Sequence, residues 1–110
     1  MLYTNEDWSL KLISFKENGS PKDMTGETVV IHVKENVDAR RTVAEWTTVG
    51  EAGLKWTGLN NEILTLDVPK AGRTIHKARR YVYDAMWLKD GTYERIGGGT
   101  LAVERGITDV

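Results

Sequence analysis

The chain has 110 residues, a formal net charge of −1 and no cysteine. That length holds one domain, residues 1–110, with one modest core. The near-zero charge argues against a whole-protein field for nucleic acid or acidic membranes, and the missing cysteine excludes disulfides and thiolate metal sites.

Residues 1–6 are polar, without the apolar stretch of a signal peptide. No run approaches the roughly 18 apolar residues of a membrane span. Residues 7–15 form the first expected strand. Trp8, Leu10 and Leu12 share a face, then Ile13 and Phe15 continue on the opposite phase. Such a switch predicts a bulge. Asn18-Gly19 and Pro21 mark a turn. In residues 27–34, Val29, Ile31 and Val33 point one way and Val30, His32 and Lys34 the other. Residues 35–41 read as a polar loop and 42–49 as a strand rich in Thr, Val and Trp. Leu54 and Trp56 make a short strand, ended by Gly58 and Asn60-Asn61. Residues 62–68 carry Leu64, Leu66 and Val68 on one face, and Pro69 stops them. Residues 71–80 are the one expected helical turn, kept short by having few apolar residues: Ala71, Ile75 and Ala78.

The last third reads as strand, turn, strand, glycine kink, strand. Tyr81, Tyr83, Ala85 and Trp87 fall on one face and Val82, Asp84, Met86 and Leu88 on the other. Asp90-Gly91 is a two-residue hairpin signal, because both residues tolerate positive φ. The sum is about seven strands with turn signals every 8–12 residues, the signature of an antiparallel sandwich or barrel.

Two groups of residues carry a family resemblance. The first is Gly19-Ser20-Pro21-Lys22-Asp23-Met24-Thr25-Gly26, a Gly-x-Pro turn stepping into a strand. The second is Tyr81 to Asp84, Asp90-Gly91, Gly99 to Val103 and Gly106-Ile107-Thr108. In these the chain resembles small immunoglobulin-like virion proteins of tailed bacteriophages, above all the N-terminal domain of upper-baseplate proteins. It departs from them at Arg79-Arg80, where a Pro-Gly or Ala-Gly turn often stands, and residues 36–58 match nothing distinctive. The resemblance implies an immunoglobulin-like β-sandwich and a structural, non-enzymatic role in a virion assembled in the host cytoplasm. The expected place is a tail-tip or baseplate module joining fibre or receptor-binding subunits. A head decoration or head–tail collar protein is the alternative. The implied partners are other virion proteins, with the chain present in many copies in a symmetric assembly.

Catalytic and metal signatures are missing from the sequence. There are two histidines, His32 in mid-strand and His76 in a basic stretch, with no Gly-x-Ser-x-Gly elbow and no His-x-x-x-His pair. Gly97-Gly98-Gly99 is followed by a strand rather than by Lys and a helix, so it fits a bulge better than a phosphate loop. No catalytic, metal or cofactor residue is expected. The segment Lys70, Arg73, His76, Lys77, Arg79, Arg80 is the one local charge asymmetry. It is either a solvated crossover between sheets or a docking patch for an acidic partner. It has no interleaved aromatic for stacking bases, so nucleic acid is not expected. Among the four tryptophans, Trp8 and Trp87 sit in strong strand patterns. Trp46 and Trp56 are the candidates for a partner contact or for a carbohydrate-binding surface. The candidate docking residues are therefore Arg73, Lys77, Arg79, Arg80, Trp46 and Trp56.

Overall fold

Alternating hydrophobicity turns into strand throughout the computed structural model, which describes residues 2–106. Ten strands follow in chain order: β1 Leu2–Tyr3, β2 Trp8–Ser14, β3 Lys16–Glu17, β4 Ser20–Pro21, β5 Thr28–Lys34, β6 Ala44–Thr47, β7 Leu54–Thr57, β8 Ile63–Val68, β9 Arg79–Lys89 and β10 Thr92–Glu104. One sheet has the order β1-β10-β9-β5-β6 and a second the order β2-β8-β7, with β3–β4 a small separate hairpin. The expected all-β sandwich is thus the observed one. By connectivity, β2, β8 and β7 take the places of strands B, E and D of an immunoglobulin domain. Strands β5, β6, β9 and β10 take those of C, C′, F and G. Strand β1 runs parallel to β10, pairing Leu2 with Val103 and Tyr3 with Glu104.

The core lies between the sheets. Val29, Ile31 and Val33 from β5 meet Leu64, Leu66 and Val68 from β8. Two indoles pack across the sheets of this cysteine-free core. Trp8 of β2 stands edge-on to Trp46 of β6, with ring centroids 6.4 Å apart. Tyr81, early in β9, donates its hydroxyl to the carbonyl of Lys77 at 2.7 Å. This is the tyrosine-corner arrangement of immunoglobulin sandwiches.

Residues 71–80 correct the expectation of a helical turn: they cross between the sheets without helix, and β9 already begins at Arg79. Arg73 and Ile75 both point into the protein. Residues two apart share a side only in an extended chain, so the burial of this pair is incompatible with a helical path. The short 3₁₀ turn sits instead at Val49–Glu51, between β6 and β7. The phase switch in β2 is a register shift between Lys11 and Ile13. The three glycines do not separate two strands. They lie within one continuous β10, whose register against β9 shifts between Arg95 and Gly97. The terminal Ile107 and Thr108 of the resemblance lie outside the described residues.

Candidate docking face

The site is built by register. The hairpin at Asp90-Gly91 sets it, because both residues hold positive φ (52° and 79°). That is the geometry of a two-residue turn matching strand twist. Lys89 then pairs with Thr92, Leu88 with Tyr93 and Met86 with Arg95. On the other side β9 pairs with β5, so that Met86 lies opposite Val30, Asp84 opposite His32 and Val82 opposite Lys34. Strand β6 adds Glu45 opposite His32 and Thr47 opposite Val30. Alternate residues of a strand share a face. The outer face of the five-stranded sheet therefore reads in rows: Lys34, Val82, Thr100; then Glu45, His32, Asp84, Gly98; then Thr47, Val30, Met86, Arg95. All of these but Thr47 and Gly98 line a cleft of about 830 Å³, to which Tyr93 and Val37 also contribute.

Charges on this face are matched locally. Arg95 Nε donates to Asp84 Oδ1 at 2.8 Å, and His32 Nε2 lies 3.4 Å from Glu45 Oε1. Gly98 makes room for the first pair. A Cβ there would lie 2.5 Å from Arg95 Nη2, 2.7 Å from the Tyr83 carbonyl oxygen and 2.8 Å from Asp84 Oδ1. The guanidinium thus lies over bare backbone. Val30, Val82 and Met86 are half-buried, while Val37 and Tyr93 are 80% and 53% exposed. A surface of this kind, apolar with a few oriented charges, suits docking.

The six docking candidates do not come together. Arg73 is 4% exposed. Its Nη1 and Nη2 donate to the carbonyls of Glu6 and Thr4, each at 2.7 Å, and its Nε to that of Ile75 at 3.1 Å. The guanidinium lies 3.9 Å from the Trp8 ring centre. Burial lowers its pKa, opposed by the charges of Asp7 and Glu6. Arg73 is a structural clamp, which corrects its assignment to a docking patch. Trp46 is corrected likewise, being 7% exposed and packed on Trp8. Trp56 is half-buried, stands edge-on to Phe15 and donates its indole N–H to the Glu27 carbonyl at 3.1 Å. Trp46, being buried, offers no face to a sugar. Arg79 is held by Glu35, through the carboxylate at 3.3 Å and the carbonyl at 3.1 Å. Lys77 and Arg80 are exposed.

Among the described residues no group of three or more His, Asp or Glu side chains is arranged to hold a metal ion. No helix among them is long and apolar enough to cross a membrane. Sequence reasoning passed over Glu45, Met86 and Arg95 as site residues. The signal available was the Asp90-Gly91 turn, which fixes the β9–β10 register and hence the Asp84–Arg95 diagonal. No family model, curated protein or solved structure matches the chain.

Proposed function

We propose that this chain is a non-enzymatic structural component of a tailed-phage virion, a tail-tip or baseplate module that joins fibre or receptor-binding subunits. The place in a virion rests on the sequence resemblance. The docking role rests on one observation: a concave sheet face that presents Val30, Val82 and Met86 between exposed Tyr93 and Val37. In this reading the outer face of the five-stranded sheet is a protein-docking surface in the assembled particle, and the basic crossover at Arg73 belongs to the fold. Aromatic and apolar anchors supply most of the affinity of such contacts, and flanking charges fix orientation.

The test is mass spectrometry and immunogold imaging of purified particles carrying either the wild-type chain or Met86→Glu. Met86 faces outward, so this change should leave the melting temperature nearly unaltered while sharply reducing incorporation. Label at the tail tip supports the placement; label on the head moves it to the decoration or collar alternative. Absence of the wild-type chain from particles, or full incorporation of Met86→Glu, would overturn the reading.

A further inference from the structure

We infer that the partner of the sheet face is a second copy of this chain, packed face to face about a twofold axis that runs along the seam between β5 and β9. The inference rests on the docking reading above and names its occupant.

Charge is the first argument. For two faces to meet by a twofold rotation, the axis must lie in the plane between them. If it runs parallel to the strands, every row exchanges left and right. On the left of the seam stand His32 and, beyond it, Glu45; on the right stand Asp84 and, beyond it, Gly98 under the Arg95 guanidinium. The rotation therefore brings His32 of each copy onto Asp84 of the other, and Glu45 onto Arg95. The Glu45–Arg95 pair is antisymmetric in charge about the midline, which is what an isologous contact requires, and a ring N–H of His32 can donate to the Asp84 carboxylate. An axis across the strands, along the same row, would instead stack Glu45 on Glu45 and Asp84 on Asp84. Apolar groups obey the same exchange. Val30 meets Met86, and the aliphatic stem of Lys34 lies on Val82. Tilting the axis about 15° from the strands gives the roughly 30° crossing of aligned sheet packings.

Area is the second argument. Strands β6, β5, β9 and β10 lie about 4.8 Å apart, and the usable rows run from Arg80 to Leu88. The projected face is about 500 Å², which approaches the low end of the roughly 600–1,000 Å² per partner of standard interfaces. Val37 and Tyr93 are exposed members of the cleft lining and would be covered by the opposing copy.

The test is sedimentation equilibrium over a wide concentration range. The wild-type chain should approach twice the monomer mass. Glu45→Arg and Arg95→Glu alone should each weaken self-association about tenfold or more, since each sets like charges together twice. An equimolar mixture of the two variants should associate like wild type, because in the mixed dimer one contact forms in its original sense and the other in reversed sense. The milder Glu45→Gln and Arg95→Gln, which remove charge without reversing it, serve if a reversal lowers the melting temperature. A wild-type chain that stays monomeric throughout, or folded variants that fail to associate on mixing, would overturn the inference. A monomeric wild type combined with poor incorporation of Met86→Glu into particles would sink self-pairing and leave the docking reading standing. A dimeric wild type combined with full incorporation of Met86→Glu would do the reverse.

Discussion

Replacing Arg73 with alanine should destabilise the fold far more than its place in a basic stretch implies. Three backbone carbonyls, of Thr4, Glu6 and Ile75, lose a charged donor, and the Trp8 ring loses its cover. A hydrogen bond from a charged group is worth about 1.5–3 kcal/mol, and an acceptor left buried adds its desolvation cost. These terms are not additive, and the residues around Thr4 can open to water. A net loss of about 3–5 kcal/mol is therefore expected, against a total of about 5–15 kcal/mol for a domain. At roughly 4 °C per kcal/mol, the melting temperature should fall by about 12–20 °C. Circular dichroism melts and urea titrations measure this directly, with the urea slope unchanged. Arg73→Lys should recover only part of the loss, because an ammonium cannot reproduce the forked geometry. Arg80→Ala, at an exposed position, should stay within about 0.5 kcal/mol of wild type. If Arg73→Ala matched Arg80→Ala, the clamp would be refuted and the docking assignment of Arg73 restored.

Burial raises the pKa of Tyr81 above its ordinary value, so ionisation favours the unfolded chain. Its stabilising contribution is intact below about pH 10 and is lost as pH rises through the folded value. Tyr81→Phe should flatten that alkaline loss in pH-dependent melts and cost about 1 kcal/mol at neutral pH through the missing bond to Lys77. The hydroxyl and amide of Thr25 hold the Asp23 carboxyl below its usual range. Thr25→Val should raise that pKa in an NMR titration; no rise would refute the pairing. Gly98→Ala should destabilise by about 1–3 kcal/mol, because the new methyl meets the Tyr83 carbonyl at 2.7 Å. It should also displace the Arg95 guanidinium, seen as a shifted Arg95 Nε–H resonance; an unchanged resonance and melt would contradict the close approach.

Legibility followed the range of the interaction. Period two placed Val29, Ile31 and Val33 inside, because burial there is decided within one strand. The phase switch foretold the β2 bulge, and the Asp90-Gly91 pair foretold its turn. Leu10 shares the phase of Trp8 yet is 40% exposed, because β2 is an edge strand with nothing beyond it. Arg73 was read from its basic neighbours. Its burial comes from residues 4–6, which lie almost seventy positions away and offer it two carbonyls. The docking face was hidden for the same reason. His32 and Asp84 become neighbours only through the β5–β9 register, and nothing local in either segment sets it.

The most direct measurement of the central claim, that the outer face of the five-stranded sheet docks, is site-specific photo-crosslinking in assembled particles. A photoreactive side chain would replace Met86 in one preparation and Lys11, exposed on the other sheet, in a second. Crosslinks to a protein partner from position 86 and not from position 11 are predicted. Crosslinks from position 11 with none from position 86 would contradict the account.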